Sequence, residues 1–219
     1  MKRFLPFIVL MLLSISSFSQ APSGMGKNDP DAKKVLDAIS TKFKKFKSIK
    51  AKFSLKIENA SSKVIGNKSG TVYMKGSKYM ISLPGQEIYC DGSNVWTYDK
   101  SSNEVTISKL DPSSNSLTPQ KLFTNFYDKD FLYKLNDDVT VVGKKMQVVE
   151  LTPIDKSKPF HKVLLYVNNS SIATTKIFEK TGNRYTYSVP KMETTAIIPD
   201  ASFVFVASKY PGVEIVDLR

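Results

Sequence analysis

The chain has 219 residues, 41% hydrophobic and 24% charged, enough for one domain with a substantial core. Basic residues outnumber acidic ones by 32 to 20, a formal charge of +12, yet the lysines are scattered as the polar half of alternating strands, which excludes a nucleic-acid reading and leaves a solvated basic face. One cysteine, Cys90, excludes an internal disulfide, and one histidine, His161, removes the usual parts of a histidine triad or a histidine-rich metal site.

Lys2 and Arg3 precede an apolar run from Phe4 to Leu13, and Ser17-Phe18-Ser19 offers small residues to a signal peptidase, so residues 1–19 read as an export signal cleaved before Gln20. The run is shorter than the ~20 residues that span a bilayer. The exported chain is expected to be soluble outside the cytoplasm, with 30 basic against 20 acidic residues once Lys2 and Arg3 are gone. Residues 20–28 are polar and read as a disordered leader, and 29–219 as one domain.

Asp29 then caps a helix that has Pro30 in its first turn, where the missing N–H costs nothing. Ala32, Val35, Leu36, Ile39, Phe43 and Phe46 recur at spacings of three and four, predicting a helix from Pro30 to Lys47 with one broad apolar stripe. After Ser48 the period changes to two. Ile49, Ala51, Phe53, Leu55 and Ile57 alternate with polar residues in a half-buried strand. Further strands follow at Gly70–Lys75, Lys78–Leu83, Gln86–Asp91, Asn94–Tyr98 and Glu104–Leu110. Asp91-Gly92 between two of them is a strong hairpin signal, since glycine accepts the positive φ of a tight turn.

A polar loop at 111–116 leads to Thr118-Pro119 and a second helical segment in which Leu122, Phe123 and Phe126 share a face. Strands resume at Val139–Val142, Met146–Thr152, Phe160–Val167, Ala173–Glu179 and Arg184–Val189, with Glu193–Ile197 and Phe203–Phe205 completing the sheet. Such a meander curls into a barrel or half-barrel. Asp137-Asp138 reads as a turn, His161 as an exposed strand residue and Cys90 as a small buried one. No glycine-rich phosphate loop is present, so neither catalysis nor a cofactor is expected.

Taken in order, the helix ending at Ser48, the Phe53 strand, GTVYMKGSKYMIS from Gly70 to Ser82, the QEIYCDGSNVWTYD hairpin, Thr118-Pro119 and the ending FVFVASKYPGVEIVDLR resemble the periplasmic outer-membrane lipoprotein carrier family, LolA. The resemblance implies a mainly β fold: an incomplete, half-open antiparallel β-barrel covered by the N-terminal helix and the second helical segment as a lid. It further implies a monomeric periplasmic carrier, not an enzyme, whose apolar cavity takes up the acyl chains of lipoproteins. Its partners would be acylated lipoproteins, an inner-membrane ABC exporter resembling LolCDE, and an outer-membrane acceptor where one exists. Such chains gain about 0.8 kcal/mol per buried CH₂ and cannot cross water unaided.

With that alignment, strand alternation places Val72 and Met74, then Tyr79, Ile81 and Leu83, then Ile88 with Cys90, on the cavity side. Lid residues would be Val35, Leu36, Ile39, Phe43 and Phe46, together with Leu122, Phe123 and Phe126. The family pattern has an arginine that latches the lid where this chain has Gly76. Any latch would fall to Lys75, which lacks the guanidinium fork. A lipid-sensing or stress-sensing regulator on the same half-barrel is the alternative reading. A hydrolase lacks histidines, and a glycan binder would have only Trp96 for stacking.

Overall fold

A computed structural model describes residues 28–111 and 127–219. The export signal, almost all of the leader, and the segment with Thr118, Leu122, Phe123 and Phe126 lie outside the described residues. Helix α1 (Pro30–Lys44) begins where the Asp29 carboxylate accepts the Asp31 N–H at 2.8 Å and the Ala32 N–H at 3.4 Å. The same carboxylate accepts the Leu135 N–H at 2.8 Å, so the cap also ties the helix to the sheet. The helix stops at Lys44, short of the expected Lys47. The chain needs the next four residues to turn into the first strand, with Phe46 N–H bonded to the Phe43 carbonyl at 3.0 Å.

Two meanders make the sheet. The first is β1 (Ile49–Glu58), β2 (Val64–Lys75), β3 (Lys78–Leu83), β4 (Gln86–Cys90), β5 (Asn94–Asp99) and β6 (Glu104–Lys109). A short helix, α2 (Tyr127–Asp130), introduces the second: β7 (Phe131–Val141), β8 (Lys144–Pro153), β9 (Phe160–Asn168), β10 (Ser171–Glu179) and β11 (Arg184–Glu193). β11 pairs antiparallel with β1, joining the meanders, and β12 (Glu214–Asp217) lies parallel to β6. The order is β12-β6-β5-β4-β3-β2-β1-β11-β10-β9-β8-β7, a sheet of 12 strands among the described residues, open because β7 and β12 do not meet.

Several strand ends differ from expectation. Asp137 and Asp138 are no turn but sit in a bulge of β7 opposite β8. β11 runs to Glu193 past Pro190, where the register with β1 slips between Lys52 and Ser54. Proline has no N–H for the ladder, so a bulge absorbs it. Beyond Glu193 the expected strands to Ile197 and at Phe203–Phe205 do not form. Residues 194–199 are irregular and Asp200–Phe203 is a single 3₁₀ turn. Phe203 and Phe205 are buried, so their apolar surface is satisfied by packing against the sheet and not by pairing as a strand.

That tail covers the outer face of β3–β6. Phe205 meets Tyr89, Tyr98 and Tyr210 at ring distances of 5.8, 5.4 and 4.5 Å, above buried Trp96, Val105 and Ile107. Glu87 accepts hydroxyl protons from Tyr89 at 2.7 Å and Tyr210 at 2.9 Å and pairs with Lys100 at 2.7 Å. At the other end of the tail, Asp200 is held by Lys75 and Lys78, both at 2.7 Å.

Those two carboxylates give the anchoring a pH dependence. The ammonium groups of Lys75 and Lys78 hold Asp200 down at about 2. Burial pushes Glu87 up, but its bonds from Lys100, Tyr89 and Tyr210 outweigh this and leave it below the usual range. Both pKa values are lowered by folding, so the contribution is complete above the ordinary carboxylate range and is lost as pH falls toward the folded values. Near-UV circular dichroism of the tyrosine cluster should weaken between about pH 4 and pH 2 while far-UV signal persists. Asp200→Asn should flatten that profile, and an unchanged profile would show that Asp200 does not anchor the tail.

Candidate functional site

Cross-strand register defines one continuous inner face. Val72, Ile81 and Ile88 are successive partners across β2, β3 and β4, and Met74, Tyr79, Cys90 and Val95 form the neighbouring row. Ile49 and Ala51 extend these rows onto β1, and Met192 adds β11. Ile49, Ala51, Met74, Tyr79 and Cys90 are buried, whereas Val72, Ile81, Ile88, Val95, Val189, Met192 and Leu110 around them are half-buried. The result is an apolar floor with a partly wet surface.

Phe43 and Phe46 lie over this floor, their rings edge to face at 6.3 Å. Nearer β11, Phe53 leans across Gly70, where an added Cβ would stand 2.7 Å from its ring, and reaches Tyr187 at 6.4 Å. Glycine at 70 therefore makes room for an aromatic ring on the inner face. The tight hairpin that brings Ile88 and Cys90 to Val95 depends on Gly92 at φ +96° and on Asp91, whose carboxylate accepts the N–H groups of Ser93 at 2.8 Å and Asn94 at 2.7 Å.

The expected lid residues on α1 and the turn after it divide into two groups. Val35, Leu36 and Ile39 are packed in a closed core with Phe131, Val149, Leu151 and Leu165 of β7–β9. That part of α1 is further pinned by the Tyr127 hydroxyl donating to Asp37 at 2.8 Å and by Lys33 bridging Asp37 and Asp128. Among the described lid residues, Phe43 and Phe46 reach the half-buried centre. Leu83 is half-buried at the far end of β3. Lys75 points to the outer face, toward Asp200 and away from α1, and Gly76 occupies a hairpin turn at φ +58°, a conformation in which an arginine would be strained.

The chemistry of this face is that of an uncharged, apolar surface. Burial pushes the Cys90 thiol up, so it stays protonated, and burial followed by its neighbour Cys90 does the same for the Tyr79 phenol. Among the described residues no group of three or more His, Cys, Asp or Glu is placed to hold a metal ion. Half-buried aromatic and branched side chains without charge suit one kind of guest, a flexible hydrocarbon. Sequence reasoning missed Phe53, Tyr187, Val95, Leu110, Val189 and Met192. Val95 follows from its pairing with Cys90, but Tyr187, Val189 and Met192 depend on the distant β1–β11 contact.

A cleft of about 540 Å³ lies on the opposite side of the sheet, between Lys50, Tyr73, Met80 and Tyr89 and the tail from Glu193 to Tyr210. Its walls are the anchoring tyrosines and the exposed Ile197, and it is separate from the inner floor.

Known proteins resemble this chain over most of its length. The family model described as "Outer membrane lipoprotein carrier protein LolA" matches residues 44–206. A protein of Cupriavidus pinatubonensis named outer-membrane lipoprotein carrier protein is 28% identical over 171 residues, covering 74% of this chain and 79% of its own length. One of the same name from Dechloromonas aromatica is 24% identical over 181 residues, covering 78% and 82%. Among solved structures, an uncharacterized conserved protein from Thermus thermophilus superposes with a TM-score of 0.57 at 11% identity, covering 85% of this chain and 99% of its own. That likeness shows a shared fold.

Proposed function

The chain belongs to the outer-membrane lipoprotein carrier family LolA, and from that premise we propose that its inner face takes up the acyl chains of lipoproteins and carries them through the periplasm as a monomer. In this reading it receives cargo from an inner-membrane ABC exporter of the LolCDE kind and releases it at the outer membrane, binding without any chemical step. One observation supports it above the others: the row Val72–Ile81–Ile88 is apolar yet only half-buried, with Phe43 and Phe46 laid over it. A solid core would bury such a row; an acyl chain would bury it too, at about 0.8 kcal/mol per CH₂.

With its start pinned by Tyr127 and Lys33, α1 would move at its other end in this reading. Phe43 and Phe46 are half-buried over the floor, whereas lifting Val35, Leu36 and Ile39 would open the buried core over β7–β10. Closure would then rest on apolar contact without an arginine latch, weak enough to be reversed at each membrane. Native mass spectrometry of the protein purified from a periplasmic extract should show discrete acyl-lipoprotein adducts, reduced severalfold in Phe43→Ala/Phe46→Ala. A bare protein under conditions that preserve other lipid complexes would contradict the reading.

A further inference from the structure

The end of the sheet where β1 stops and β2 starts also carries the β8–β9 and β10–β11 connections, because these neighbours run antiparallel. The connections are joined to one another. Lys180 N–H donates to the Pro159 carbonyl at 2.9 Å, and its ammonium donates to the Lys156 carbonyl. Arg184 donates to the Ser62 hydroxyl at 2.5 Å, and a Cβ at Gly182 would lie 2.7 Å from the Ala60 side chain. This end is therefore a continuous rim.

Three branched aliphatic side chains stand out from it: Val64 is 45% exposed, Ile65 57% and Ile154 49%. Single exposed aliphatics are ordinary, but these crown one end of the molecule, and their surroundings are basic. Lys63, Lys156, Lys158, Lys180 and Arg184 stand in or beside the three connections, against Asp155 and Glu179, which accept hydrogen bonds from Ser157 and Thr181. The outer face behind the rim continues the charge. Cross-strand partners run Val64–Glu58–Arg184–Phe178–Lys162 over five strands. Lys162, Lys176 and Arg184 stand 4.6, 5.4 and 5.9 Å from the Phe178 ring centre, and Glu58, with Lys56 at 3.3 Å, is the carboxylate among them.

We propose that this rim docks the protein on an anionic bilayer surface, with Val64, Ile65 and Ile154 entering the headgroup boundary while the surrounding cations meet lipid phosphates. Protein interfaces are anchored by aromatic side chains seated in pockets. Here the apolar groups are aliphatic side chains at the start of β2 and in the bend after β8, with lysines beside them, the composition of an interfacial lipid contact. The inference rests on the carrier reading for its purpose, presentation of cargo at a membrane. Its test uses cargo-free protein and is independent of acyl binding.

Purified protein should co-sediment with vesicles of phosphatidylethanolamine and phosphatidylglycerol at low salt, and about tenfold more weakly with phosphatidylcholine vesicles or at high salt. Val64→Ser/Ile65→Ser and, separately, Lys63→Glu should each weaken the anionic-vesicle binding by about tenfold without moving the unfolding midpoint, since all three positions are exposed. Phe43→Ala/Phe46→Ala should still bind vesicles while losing a triacylated lipopeptide, so failure of the rim and failure of the carrier reading are seen apart. Vesicle binding indifferent to headgroup charge and to Val64→Ser/Ile65→Ser would overturn the proposal. So would a wild-type protein that ignores vesicles while rim variants lose uptake from exporter-containing membranes, which would assign the rim to an acidic protein surface.

Discussion

Ile81→Asp is expected to abolish acyl-chain binding in a protein that still folds, whereas Val163→Asp is expected not to fold at all. Both are strand residues facing the same side of one sheet. Val163 is 1% exposed under α1, and an unpaired carboxylate there costs several kcal/mol, of the order of the ~5–15 kcal/mol that holds a domain of this size together. Ile81 is half-buried at the centre of the floor, where a carboxylate can stay hydrated until a hydrocarbon chain tries to cover it. The penalty then falls on the complex, and binding of a triacylated lipopeptide should weaken by at least about a hundredfold. Thermal unfolding and lipopeptide titration on the same samples separate the two effects. If Ile81→Asp unfolds as Val163→Asp does, the floor is ordinary core.

Phe205→Ala should have the opposite signature, a large loss of stability with lipid binding intact. The ring is 8% exposed among Tyr89, Tyr98 and Tyr210, and truncation of such a phenylalanine costs about 3–4 kcal/mol. It lies on the outer face. Lipopeptide affinity, measured well below the unfolding transition, should change by less than about twofold, near the resolution of additivity between separated sites. A parallel loss of affinity would mean that the tail shapes the binding face, and that the two sides of the sheet are coupled.

Much of this architecture was legible from local pattern. The Asp29–Pro30 cap, the period-two strands from Ile49 to Glu58 and Lys78 to Leu83, and the Asp91-Gly92 turn all follow from residue-level rules that operate over a few positions. Register then follows from alternation, which is why Val72, Ile81 and Ile88 share one side both in the pattern and in the sheet. What was not legible depends on pairings far apart in sequence. Tyr187 and Met192 join the inner face because β11 lies beside β1, and the bulge at Pro190 decides which of its residues face inward. Phe203 and Phe205 alternate as a strand would, yet burial decides their place: Phe205 packs among the rings of Tyr89, Tyr98 and Tyr210 in place of joining the ladder. Lys75 illustrates the same limit: its partner Asp200 is 125 residues away.

In the proposed complex acyl chains lie on the inner face between Phe43, Phe46 and the row Val72–Ile81–Ile88, and not in the outer cleft beneath the tail. A lipopeptide carrying a photoactivatable group at the end of one acyl chain, bound to the wild-type protein, irradiated and mapped by peptide mass spectrometry, tests this directly. The account predicts adducts on Phe43, Phe46, Val72, Ile81 or Ile88. Adducts concentrated on Met80, Ile197, Val204 or Tyr210 would place the lipid on the outer side of the sheet and contradict it.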